Sequence, residues 1–217
     1  MAAVSLKHPS LTKLPESALI AQLLSDPHWR QRTIGIHGIP SHVASYQNVP
    51  LDGLPGDPEG DIDVLLVPPG SPEFSIAIQA KRVKVGDGTL LDNQNPNKLN
   101  DLSELHRQTE IVLAAGFSQV YAFIFVVVDS RMHNGGELSY AGMTRHWSTF
   151  VESAISNVQL DERVGLMHIE LVQPLDDRPL GAGTYSGRVR RLAHQSSQPA
   201  VVTSWVANVV RHRGAAS

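Results

Sequence analysis

Two stretches decide the fold: Gly60–Val67 (GDIDVLLV) and Phe74–Val85 (FSIAIQAKRVKV). Asp61–Val67 and Phe74–Val85 are rich in β-branched and aliphatic residues and are joined by PPGSPE, a connection that suits a β-hairpin. Side chains alternate along a strand. Asp61 and Asp63 therefore share a face with Leu65 and Val67, opposite Ile62, Val64 and Leu66. On the second strand Gln79 and Lys81 share a face with Ala77, opposite Ile76, Ile78 and Ala80. An antiparallel hairpin lays the start of one strand beside the end of the other, so Asp61, Asp63, Gln79 and Lys81 converge at the end remote from the turn.

Working outward, residues 1–14 read as an irregular N-terminal arm, and Pro15–Glu16 open a helix with the stripe Leu19, Ile20, Leu23, Leu24. Asp26-Pro27 ends it, and a shorter helical piece follows over Trp29–Arg32. Ile34, Ile36 and Ile39 suit a short strand, and Pro50–Gly60 reads as a loop. Gly86–Asn97 is a polar loop. Asp101–Ala115 is a helix with Asp101 and Glu104 at capping-box spacing and Gly116 at its end. Val120–Asp129 is a central strand, followed by an NGG turn at 134–136, a helix over Thr144–Ser156, a strand over Val164–Val172 and a loop over Pro174–Gly187. The sum is one α/β domain over 15–175: a mixed central sheet with an antiparallel hairpin, flanked by helices. A basic C-terminal extension, 176–217, packs on the same domain.

Composition narrows the chemistry. The chain has 217 residues, 41% of them apolar, and a formal net charge of −3. That is a foldable single domain, not a disordered chain. It has no cysteine, which excludes a disulfide scaffold, thiolate metal sites and a cysteine nucleophile. No secretory signal is visible, and the longest apolar run, Val120–Val128, is too short to span a membrane. A cytoplasmic protein without membrane attachment is the expectation. The near-neutral charge is a sum of patches: acids crowd 52–63, while the end of the chain carries Arg188, Arg190, Arg191, Arg211 and Arg213 and no acid. Arginines of that kind, with Arg82 and Lys84 on the second hairpin strand, are suited to nucleic-acid phosphates and equally to an ordinary solvated surface.

Carboxylate, amide and carbonyl oxygens are hard ligands that suit Mg²⁺ or Mn²⁺, and a neighbouring lysine can hold a water or a phosphate. Here a resemblance enters. Gly60-Asp61-Ile62-Asp63, the hydrophobics after it, Ile78-Gln79-Ala80-Lys81-Arg82, and then a helix and a buried strand resemble the PD-(D/E)XK nuclease superfamily over roughly 15–129. The Gln before X-K resembles its Mrr-type restriction-endonuclease branch. The resemblance implies a restriction-endonuclease-like core and Mg²⁺- or Mn²⁺-dependent hydrolysis of DNA phosphodiester bonds, in restriction, genome defence or DNA processing. It makes Asp63 a metal ligand, Gln79 and the Ala80 carbonyl further ligands, and Lys81 the residue that positions the hydrolytic water. Glu16 falls where relatives place an additional acid, though it equally suits a helix-start carboxylate, and Gln108 where some place a polar residue facing the site, though a solvated helix position suits it better.

Two departures stand out. Pro58 is offset from the motif, and Gln79 replaces the usual acid, which removes a negative charge from the metal site unless Asp61 supplies it. The same substitution suits a catalytically inactive module that binds nucleic acid or a protein partner. A third reading is an interaction protein or homodimer using the apolar segment Val201–Val210.

Other chemistries find less support. The ten histidines lack H-x-x-x-H or H-E-x-x-H spacing, and His37 and His42 lie in a loop-like stretch. No G-x-S-x-G elbow, Walker A lysine or dinucleotide fingerprint is present. Trp147 and Trp205 can stack on bases but equally suit a core.

Overall fold

The computed structural model describes residues 11–35, 38–39, 42–85, 99–129, 143, 145–173 and 185–213. Most of the arm, Ile36, His37, the loop at 86–97 and the NGG turn lie outside the described residues. A mixed sheet of six strands runs β1-β2-β3-β4-β5-β6 in sequence order. The strands are β1 (Ala44–Pro50), β2 (Asp61–Val67), β3 (Ile76–Val85), β4 (Gln119–Asp129), β5 (Gly165–Gln173) and β6 (Tyr185–Arg191). β1, β2 and β3 pair antiparallel, β3, β4 and β5 pair parallel, and β6 returns antiparallel to β5.

Parallel pairing needs a crossover, and here helices supply it. α3 (Glu104–Ala115) connects β3 to β4, and α4 (Arg145–Ser156) connects β4 to β5. With α5 (Ala200–Arg213) they cover one face of the sheet, burying Leu105, Val112, Trp147, Val151, Val202 and Val206. The other face is covered by α1 (Glu16–Ser25) and α2 (Pro27–Thr33), through Leu19, Leu23 and Trp29 against Ile78, Phe123 and Ile169. β4 lies between the layers, so its apolar run is buried on both sides. No helix among the described residues is long and apolar enough to cross a membrane.

The local signals explain most boundaries. Asp26 caps α2 by accepting from the amides of His28 and Trp29, and Pro27 fills the first helical position. Gly116 ends α3 in the left-handed region at φ 95°. α3 is entered through a 3-10 turn over Asn100–Ser103 that contains Asp101, so its first residue is Glu104.

Three further expectations are corrected. Ile34 does not start a strand; it terminates α2, and among the described residues the first strand is β1. Tyr185 and Gly187 are not loop but the start of β6, because its backbone completes the edge of β5. In β2 the alternation breaks near Asp63. Ile62 packs in the same core as Leu65, Val67 and Val49, not opposite them. Asn48, which faces this point in β1, sits at φ 47°, a left-handed conformation that reverses the pleat.

Candidate active site

The site forms where β2 and β3 part. Their regular register covers Val64↔Ile78, Leu65↔Ala77 and Leu66↔Ile76. Beyond it the next ladder position on β3 needs a partner, since buried backbone groups rarely go unpaired. The Asp63 carboxylate supplies one: its Oδ2 accepts from the Ala80 amide at 2.7 Å. N–H and C=O of one strand residue point to the same side, so the Ala80 carbonyl is directed toward Asp63 as well. Gln79, 2% exposed, donates from Nε2 to the Asp61 carbonyl at 2.7 Å. A carbonyl can only accept, so this bond sets the orientation of the amide and leaves Gln79 Oε1 as its free end.

Electrostatics follow from that packing. Burial pushes the Asp63 carboxyl up to about 6, against the pull of the Ala80 amide; nearby Glu16 and Asp61 raise it further, and Lys81 opposes them. Glu16, at the first position of α1, leaves its Oε2 buried without a hydrogen-bond partner. Glu16 also acts on Arg82, a buried side chain 5% exposed whose Nε and Nη1 have no partner. Arg82, expected to reach nucleic-acid phosphate, is therefore buried in the interior rather than presented to solvent. Lys84 is half-buried on the same strand.

These donors suit a hard cation. Asp63, Gln79 Oε1 and the Ala80 carbonyl are oxygens, and a positive ion is what a buried carboxylate beside two other acids lacks. Among the described residues no group of three His, Asp or Glu side chains can hold a metal by itself. An ion here would depend on the neutral oxygens of Gln79 and Ala80 and on water, and a site with fewer charges binds Mg²⁺ more weakly. Lys81 is turned toward α3, its Nζ 3.6 Å from Glu104 Oε2, with only 14% of its side chain exposed. Beside these groups a cleft of about 210 Å³ opens between β2, β3 and α3, lined by Asp61, Gln79, Arg107 and Gln108.

The arginines of β6 are placed elsewhere. β6 lies three strands from β3, roughly 14 Å away at the usual strand spacing. Arg191 donates to the carbonyls of Val164 and Asp161 at 2.7 and 2.9 Å. Arg190 bonds Glu152 of α4, and Arg188 stands 3.7 Å from the same carboxylate. The structure does not bring Arg188, Arg190 and Arg191 to Asp63; it ties them to α4 and the β5 entry. Trp147 is core, 2% exposed, and Trp205 donates to the Asp52 carbonyl.

Sequence reasoning missed a second polar group on β5. His168, with no side-chain exposure, accepts from Arg190 at Nδ1 (3.0 Å), which makes Nε2 the protonated nitrogen, 3.3 Å from Glu170 Oε1. Burial and then Arg190 hold the imidazole down to about 4, so it is neutral near pH 7 and its contacts with Glu152 and Glu170 are dipolar, not ion pairs. The alternating HIE and RVR patterns carried this signal at period two. No protein-family model matches the chain, and no curated protein matches it.

Proposed function

We propose that this chain is a metal-dependent nuclease that hydrolyses DNA phosphodiester bonds on a restriction-endonuclease-like core, with Mg²⁺ or Mn²⁺ as its ion. The observation that carries the reading is the Asp63–Ala80 contact. A carboxylate takes the place of a strand partner next to Gln79, whose side chain lines an open cleft, and next to Lys81, which contacts Glu104. Asp63, Gln79 and the Ala80 carbonyl hold the ion, with Asp61 and Glu16 adding charge around it. Bound there, the ion supplies charge neutralisation at the phosphoryl group and a more acidic water. Lys81 then holds the attacking water or a phosphate oxygen, and Glu104 is the group it leaves to do so.

Lys81→Ala and Asp63→Asn separate this from other readings. With plasmid DNA and Mg²⁺ or Mn²⁺, the unaltered chain cleaves, and each variant loses about a hundredfold or more of the rate while melting normally by circular dichroism. Equal cleavage by Lys81→Ala overturns the site. One observation favours a second reading: the amide of Gln79 is neutral and already engaged with Asp61. A non-catalytic module that binds nucleic acid or a protein shows no heat of Mg²⁺ or Mn²⁺ binding and no turnover on any DNA or RNA.

A further inference from the structure

The arginines that the sequence offers to DNA phosphate are committed elsewhere. Arg82 is buried, Arg188 and Arg190 face Glu152, and Arg191 bonds the backbone at the entry to β5. The cleft beside Gln79 supplies a different cation. Arg107 is exposed and is the one cation among the described residues that line it. Glu104, three residues before it on α3, touches Lys81 of β3. Three helical residues rise about 4.5 Å, so Arg107 stands one short step from the group that Lys81 meets. Its charged neighbours on α3 have partners: Glu104 pairs with Lys81, and Glu110 faces His106 at 3.3 Å. Arg107 itself makes no hydrogen bond or ion pair among the described residues. Its N–H donors are open to a ligand, and their planar fork matches two oxygens of a phosphate. Glu59 and Asp61 stand on the β2 side of the same cleft, where they repel an anion and leave the α3 side to it.

We propose that Arg107 is a substrate-binding residue: it holds a DNA backbone phosphate at the α3 side of the cleft, next along the strand from the phosphodiester bond that is cut. The identity of the ligand rests on the nuclease reading; the contact itself is tested without cleavage. The scissile phosphate meets the ion and Lys81, while Arg107 fixes its neighbour and so sets the strand in register with the site. Such a contact gives affinity and position but no choice of sequence.

The full chain, with a chelator present so that nothing is cut, is titrated with a fluorescein-labelled DNA duplex at about 50 to 200 mM salt, and binding is read by anisotropy. Each neutralised phosphate contributes about 0.9 to the slope of log affinity against log salt on duplex DNA. Arg107→Gln is expected to lower that slope by about 0.9 and the affinity about tenfold. Arg107→Lys, which keeps the charge but not the fork, keeps the slope. Arg188→Gln, on β6, leaves slope and affinity as they are. Glutamine and alanine both suit a helix, so Arg107→Ala gives the same readout should the glutamine variant misfold. No DNA binding by the unaltered chain, an unchanged slope in folded Arg107→Gln or Arg107→Ala, or an equal loss in Arg188→Gln overturns the contact. The Lys81→Ala cleavage assay is separate. A chain that cuts DNA but keeps its slope in Arg107→Gln loses only this contact, and one whose slope falls in Arg107→Gln but which cuts nothing keeps the contact and loses the nuclease.

Discussion

Burial moves the titration of single ionisable groups in this protein away from where water alone would put it. His168 is the clearest case after Asp63. Its imidazole titrates at about 4 in the folded chain against 6.5 in an unfolded one, because burial and Arg190 disfavour the cation. Below pH 6.5 the unfolded chain takes up a proton that the folded chain refuses. The contribution of His168 is thus present above pH 6.5 and is lost as pH falls toward 4, by about 3 kcal/mol at most. Glu170 acts in the opposite sense, since burial raises its carboxyl and its contribution fades as pH rises. Urea unfolding of the wild type should therefore weaken between pH 7 and pH 4.5 by more than that of His168→Gln. Identical slopes with pH would show that the imidazole is not held neutral. The period-two HIE and RVR patterns show that these side chains share strand faces, but not that they meet. His168 and Arg190 lie 22 positions apart, and only the β5–β6 register sets them in contact.

Elements were more readable than their contacts. The hairpin strands, α1, α3, β4, α4 and β5 follow from periodicity and end signals such as Asp26-Pro27 and Gly116, which act within a few residues. β1 and β6 escaped because neither has a clean apolar alternation. β1 is interrupted by the left-handed Asn48, and β6 is an edge strand with Arg188 and Arg190 on one side. Edge strands need only backbone pairing, so their side chains carry little signal. The entry to β5 is a tight contact between elements. A Cβ on Gly165 would stand 2.3 Å from the Tyr121 ring and 2.7 Å from the Ala193 amide nitrogen. Backbone cannot yield as a flexible side chain does, so Gly165→Ala should cost about 2 kcal/mol, read as a lowered urea midpoint with an unchanged slope. An unchanged midpoint would mean that β4 and β5 are packed more loosely here than the structure has them.

At the scale of the molecule, the C-terminal segment belongs to the fold it follows. Gln198 accepts from the Ser75 hydroxyl and the Ser118 amide and donates to the Pro72 carbonyl, joining the hairpin turn to the start of β4. Val202 and Val206 are fully buried against the same core. The apolar run Val201–Val210 thus spends part of its surface inside its own chain, although Val201 and Val210 stay exposed at 49% and 37%. Deleting residues 199–217 should remove about 3 kcal/mol or more of apolar burial and lower the thermal midpoint sharply. A truncated chain that melts like the full one, and differs only in its mass by light scattering, would make the segment an association device instead.

The sequence by itself determined the local terms: which stretches repeat at strand or helix period, where helices stop, and that Asp61–Val67 and Ile76–Val85 form neighbouring strands. Those depend on neighbours within one element or one turn. Tertiary structure alone decided that β2 and β3 part at Val64, so that a carboxylate completes the ladder, that Arg82 is buried, and that the β6 arginines serve α4 rather than the site. Each of these turns on which distant groups share a buried space, and burial sets the cost of leaving a charge or an amide without a partner.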